Sequence, residues 1–282
     1  MKRGFLALGL CLLLFGVAEA QSNRIRVGDA FRGPVRSARI ERAEIFLENG
    51  EYKEGPRVLS TTVSYAPDWS WSENVGYKSD GTIIQKIKTT YDPSGAQTSI
   101  SKFDSDGKLM FKIVYIYKDG KIVEEDRFNG DGSLEQRRIT VQTDKGQGEV
   151  QYYDGSGALI KKQTTTRDGQ RTITTTYNAS GARVEAMVQY PGSGIPRTEI
   201  TRYRANGTVL DNYVGQSDNA TGRIDKTSSA PDGTLLRKTS EKREYDSNNN
   251  LSKITNYAWD EAAGKFQPVS VSYYSITYAE TK

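Results

Sequence analysis

The chain has 282 residues, with 39 Lys and Arg against 35 Asp and Glu, a formal net charge of +4, no histidine and one cysteine. So small a surplus, with both signs interspersed, excludes a nucleic-acid footprint. The missing histidine removes the commonest general base, the Ser-His-Asp and Cys-His devices, and histidine-based metal sites.

The first 20 residues read as an export signal. Lys2 and Arg3 precede an apolar run from Phe5 to Val17, and Ala18-Glu19-Ala20 is a small-x-small cleavage site. Cys11 lies inside this run after Leu10, a poor setting for a lipid anchor, so the mature chain is expected to carry no thiol. No later stretch reaches the roughly 18 apolar residues of a membrane-crossing helix. These features predict a secreted or periplasmic protein without a transmembrane anchor.

Residues 21–34 read as a flexible lead-in and 35–75 as N-terminal capping strands. The segment from Arg36 to Leu47 mixes helix formers with partial alternation, and we read it as strand. Val58 to Tyr65 is a second strand, followed by a Pro-Asp turn and Trp69-Ser70-Trp71. From residue 76 to 278 a rhythm takes over, in which an aromatic, a polar turn and a glycine return together. Glycines 95, 107, 120, 132, 146, 157, 169, 181, 194 and 207 stand 11 to 14 residues apart. That interval fits one strand plus one turn and is too short for a helix with its connections.

The stretches between turns alternate as strands do. Leu109, Phe111, Ile113, Tyr115 and Tyr117 fall on one face, as do Ala182, Val184, Ala186, Val188 and Tyr190. Residues 97–103 and 197–203 are mostly polar and cannot bury a thick core. Residues 211–225 break the rhythm and are expected to form a loop or bulge. The last strand, from Gln267 to Tyr278, could close the array. The expected fold is therefore all-β: an elongated antiparallel meander of serial β-hairpins with a thin core, open or curled.

Tyr91-Asp92-Pro93-Ser94-Gly95, Phe103-Asp104-Ser105-Asp106-Gly107, Phe128-Asn129-Gly130-Asp131-Gly132 and Tyr153-Asp154-Gly155-Ser156-Gly157 resemble the YD-repeat, or Rhs-repeat, group. Its mark is Tyr-Asp-x-x-Gly followed shortly by a hydrophobic residue, here Leu109, Leu134 and Leu159 after the last three turns. The likeness covers roughly residues 33 to 278 and suggests a short secreted bacterial protein of that kind. In large members the resemblance implies a spiralling sheet that encloses a toxin, or a cell-surface spacer.

No phosphate-binding glycine loop and no cysteine–histidine metal set is present, and no cofactor is expected. Among the acids, Glu124 and Asp126 would share a strand face with Glu125 opposite, a solvated face rather than a catalytic pair. The Asp-rich turns at 104–107 and 129–132 offer oxygen ligands for calcium but lack a distal Glu, and plain turn formation explains them. Trp69, Trp71, Tyr115 and Tyr117 form the candidate binding surface, the two tryptophans as alternate residues of one strand. The function expected is noncatalytic: a structural or binding role toward a cell-surface protein or polysaccharide, with association through exposed strand edges open to it. A carboxylate-dependent glycan-active enzyme and a small relative of toxin-delivery shells are the alternatives.

Overall fold

The computed structural model describes residues 31–142, 148–190, 196–218 and 220–279. The expected export signal and most of the lead-in lie outside them. Among the described residues nineteen strands follow one another. β1 (Val35–Glu48), β2 (Glu51–Glu54), β3 (Val58–Tyr65), β4 (Trp71–Tyr77), β5 (Ile83–Tyr91) and β6 (Gln97–Phe103) come first. β7 (Leu109–Lys118), β8 (Lys121–Asn129), β9 (Leu134–Gln142), β10 (Gly148–Asp154), β11 (Leu159–Asp168), β12 (Arg171–Asn178) and β13 (Arg183–Tyr190) form the middle. β14 (Arg197–Tyr203), β15 (Val209–Asp218), β16 (Arg223–Ser229), β17 (Leu235–Tyr245), β18 (Leu251–Asp260) and β19 (Lys265–Tyr278) complete the set.

From β3 onward each strand pairs antiparallel with the next, and β1 pairs with both β3 and β19. The sheet is therefore a closed barrel of 18 staves, with β2 a short extra strand hairpinned onto the end of β1. This corrects the open meander. Residues 35–75 supply three of the staves as well as the β2 hairpin, and within 211–225 residues 211–218 and 223–225 belong to the paired strands β15 and β16, with a turn at 220–222 between them. Closure leaves the barrel wall without free edges among the described residues, apart from the short β2.

Following the register from Arg39 through Thr62, Val75 and Lys86 around the ring returns to β1 about 18 residues displaced, the stagger of a tilted barrel. Eighteen strands with that stagger tilt by about 35° and, as a circular ring, span about 34 Å between backbones.

One rim is built from a single device repeated seven times. In the turns opening at Lys78, Asp104, Asn129, Asp154, Asn178, Arg204 and Ala230, the first N–H donates to the carbonyl four residues on. The turn glycine then donates back to the first residue, with φ between +80° and +87° throughout. Carboxylates and amides brace these turns. Asp104 Oδ1 accepts from the N–H groups of Asp106 and Lys108, and Asp131 Oδ1 from the N–H and hydroxyl of Ser133. The hydroxyl and backbone bonds from Ser133 hold the Asp131 carboxyl below its ordinary pKa. One carboxylate oxygen of Asp104 and one of Asp131 are thus engaged by their own turns.

After each of these turns the following strand bulges by one residue, at 84, 110, 135, 160, 184, 210 and 236. Five of these are Ile84, Met110, Ile160, Leu210 and Leu236, all exposed. The two glycines of one turn should behave differently on substitution. Gly132→Ala meets open space and carries only the left-handed strain, about 1 kcal/mol. Gly130→Ala would drive a methyl into the Leu109 carbonyl oxygen, a backbone atom that must move. We expect a loss of about 2–3 kcal/mol there, read as the difference between urea midpoints.

Tight burial concentrates where the ring closes. Phe31, Val35, Ala38, Val63 and Tyr65 form one buried cluster, with Trp69, Tyr274, Ile276 and Tyr278 packed against it. Val271 and its cross-strand neighbour Ala43 are 0% and 1% exposed. Elsewhere most side chains are half-buried, because a closed ring this wide has no opposing layer to press against its inner face.

Candidate functional site

The two faces of the wall separate by exposure. On β7, Met110, Lys112, Ile116 and Lys118 are exposed, whereas Phe111, Ile113, Tyr115 and Tyr117 are shielded. The shielded set faces the lumen. Burial pushes the Tyr115 and Tyr213 hydroxyls above their ordinary pKa, and it pushes Glu125 up despite the nearby charges of Arg138 and Arg127. All three share the luminal face by register.

Across β7 to β11 the register lines up a luminal row. Tyr115 stands beside Glu125, Glu125 beside Arg138, Arg138 beside Tyr152 and Tyr152 beside Lys161. Arg138 Nη1 lies 3.8 Å from Glu125 Oε2, and each side chain keeps 29% of its surface exposed, so water reaches the pair. The Lys161 ammonium sits 4.4 Å from the Tyr152 ring centre. The Tyr152 hydroxyl donates to Gln163 Oε1 at 2.9 Å, and Gln163 Nε2 donates to Thr176 Oγ1 at 3.1 Å. Two further cations stand toward the turn rim. Arg127 and Lys102 approach the Phe111 ring at 3.9 and 6.0 Å. A second luminal group lies on β15 to β17, where Glu241 accepts from Lys226 at 2.9 Å and from Arg243 Nε at 2.8 Å. Burial raises the Glu241 carboxyl, but these two cations outweigh it and leave its pKa lowered.

The outer wall has its own ion pairs. Glu124 and Asp126 do share a face, as the alternation predicts, and it is the outer one. Arg137 binds Asp126 at 2.8 Å and Glu124 at 3.0 Å. Both acids are thereby committed to a cation, not opposed to one another across a cleft.

The four residues singled out from sequence do not meet. Tyr115 and Tyr117 point into the lumen, where the Tyr117 hydroxyl donates to the Gln97 carbonyl at 2.8 Å. Trp71, the first residue of β4, lies on the outer face with Lys88 5.2 Å from its ring. Trp69 is not on a strand. It occupies the left-handed position of the turn before β4, at φ +63°, held by Tyr65 and Arg36. The tryptophan pair is therefore no shared platform. Glu125, Arg138, Tyr152 and Lys161 escaped the sequence reading because they come from four strands. Only cross-strand register brings them together, although alternation alone marks Glu125 as opposite to Glu124 and Asp126.

No family model and no curated protein matches the chain. Among solved structures, a porin-like protein from Bacteroides uniformis is 11% identical, with 85% of this chain aligned to 96% of that one at a TM-score of 0.41. A protein of unknown function from Bacteroides fragilis is 15% identical over 61% of this chain and 94% of that one, with a TM-score of 0.21. The Photorhabdus luminescens Tc holotoxin pore aligns 72% of this chain with only 14% of its own, at 12% identity and a TM-score of 0.17. At these scores the architecture rests on the strand pairing itself. That pairing, a ring closed by β1 and β19, overturns the likeness to YD or Rhs repeats. What the repeats share with this chain is a turn, not a fold.

Proposed function

We propose that the chain is a noncatalytic barrel of the cell envelope, exposed to water on its outer wall, whose lumen binds a polysaccharide. The luminal row of Tyr115, Glu125, Arg138, Tyr152 and Lys161 carries the reading. It spans five neighbouring strands, about 19 Å, the reach of several linked sugar rings. It alternates aromatic faces with multivalent hydrogen-bonding groups, the combination that holds polyhydroxylated ligands. A glycosidase needs two carboxylates facing each other across the bond it breaks. Glu125 has Tyr115 and Arg138 as its row neighbours, which supports binding over hydrolysis.

A lipid-embedded porin is the competing reading for so wide a barrel. The outer wall opposes it. Lys88, Lys112, Glu124, Arg137, Lys162, Glu199 and Asp225 share the outer face along the middle of their strands. A lysine or arginine at the bilayer midplane costs about 2–4 kcal/mol, and so many leave no continuous apolar band. Fractionation of producing cells tests this directly. The protein should be released by osmotic shock or alkaline wash, and glycan panels should then find a ligand for it. Retention in the membrane until detergent is added would defeat the water-exposed reading.

A further inference from the structure

The luminal row belongs to a wall whose charge is lopsided. On the inward face of β6 to β11 stand five cations, Lys102, Arg127, Arg138, Lys161 and, toward the opposite rim, Arg167, against Glu125 within the row itself. Arg127 is also met at 2.5 Å by Glu135, the bulge residue of β9. Among the described residues neither Lys102 nor Lys161 reaches a carboxylate; each lies instead over an aromatic ring, Phe111 and Tyr152 respectively. Both are half-buried. The contrast with β15 to β17 is sharp, where Lys226 and Arg243 are both spent on Glu241.

We propose that the wall of β6 to β11 selects acidic glycans, polymers whose sugar units carry carboxylates. The inference rests on the luminal binding reading above and names its ligand class. Lys161 and Lys102 are the anchoring charges, because no acid competes for them. Arg138 is held at 3.8 Å by Glu125 and can turn its guanidinium to a ligand carboxylate in bidentate fashion. Tyr152 stands between Arg138 and Lys161, and Tyr115 ends the row beyond Glu125, so sugar rings stack on them while their carboxylates meet the cations. Glu125 acts against the ligand, as a like charge whose burial already disfavours its ionised form. Enclosure by the ring strengthens each charged contact relative to an open surface, where salt would screen it.

The test uses the mature protein and two probes that differ only in charge: oligogalacturonate, and the same oligomer with its carboxylates methyl-esterified. The acidic probe should bind at least tenfold more tightly, and its advantage should shrink as salt rises. Arg138→Gln with Lys161→Gln should remove that advantage, whereas Glu125→Gln should tighten the acidic probe several-fold. Lys88→Gln with Lys112→Gln, on the outer wall, should change nothing. Circular dichroism and melting curves confirm that each variant folds. Equal binding of the two probes, lost together in Tyr152→Ala, would overturn acid selection and leave luminal glycan binding standing. Failure of both probes and of every glycan in a broad panel would remove the two readings together. Loss of binding in the outer-wall pair would place the site outside the lumen and refute the inference.

Discussion

Val271→Asp is expected to open the ring. Val271 has no exposed surface, and its cross-strand neighbours are Ala43 on β1 and Thr255 on β18, themselves buried. A carboxylate there would lose its water, and its cross-strand neighbours offer it a methyl and a hydroxyl rather than a cation. The loss should be about 3–5 kcal/mol, a large share of the stability of an ordinary domain. Val271→Ala removes the same contacts without burying charge and should cost about 1–2 kcal/mol. The larger effect should also have a distinct form. A parted seam exposes β1 and β19 as two long edges, and such edges pair with other chains. Concentration-dependent oligomers on size exclusion, with early proteolysis in β19, would follow. A monomeric Val271→Asp protein melting within 1 kcal/mol of the parent would contradict closure through β1 and β19.

Asn250→Ala should also be costly, further along the same seam. Asn250 is 1% exposed and polar, and all its polar atoms are matched. Its Nδ2 donates to the Arg32 carbonyl at 2.9 Å and to the Tyr278 hydroxyl at 2.8 Å, and its Oδ1 accepts from the Arg32 N–H. The Tyr278 hydroxyl in turn donates to Asp246 Oδ2 at 2.8 Å. One amide thus joins the segment ahead of β1, the turn between β17 and β18, and the end of β19. Alanine would strand the Arg32 N–H and carbonyl in a part-buried setting, for a loss of about 1–3 kcal/mol. Tyr278→Phe removes one hydroxyl at the edge of the same knot and should cost about 1 kcal/mol. Hydrogen exchange should locate the damage, with β1 and β19 opening before β7 to β12. Uniform loss of protection around the ring would show that the knot does not secure the seam.

The sequence was most legible where the physics is local. Strand boundaries followed from turn chemistry, and Val58–Tyr65, Gln97–Phe103 and Arg197–Tyr203 are strands in the structure with those limits. The Tyr-Asp-x-x-Gly signature has the same origin. An aspartate that accepts from two N–H groups and a glycine at positive φ suit this tight turn. The turns opening at Lys78, Arg204 and Ala230 make the same bonds without the aspartate, so the signature reports a turn and not a fold, which is why it misled as to kinship. Gln267–Tyr278 reads as a strand that could close the array, and β19 does close it; the strand it meets was not legible, because β1 and β19 lie more than 200 residues apart and neither alternates strongly enough to name its partner. Bulges were equally hidden. Leu109 reads as sharing a face with Phe111, yet the extra residue at Met110 sends Leu109 opposite Phe103 and onto the other face. Of the binding surface, the shared face of Tyr115 and Tyr117 was readable from alternation, and that this face is the lumen was not. The partners that give Tyr115 its chemistry come from register, which the one-dimensional pattern does not carry. Trp69 failed for a different reason: a bulky residue holds the left-handed turn position that glycine fills elsewhere.

The ring's closing rule limits how this architecture can change size. Because β1 meets its last neighbour antiparallel, the number of staves must be even. The turn glycines of the repeating rim, from Gly81 to Gly233, recur at roughly 25 residues, one hairpin each. Duplication or deletion of that whole unit would give a girth of twenty or sixteen staves with every neighbour still running the right way. Loss of a single strand would ask the two ends of the chain to join in parallel, and the circle could not be completed by the bonds that now complete it. Lineages of such barrels should accordingly differ in length by multiples of the hairpin, never by half of one.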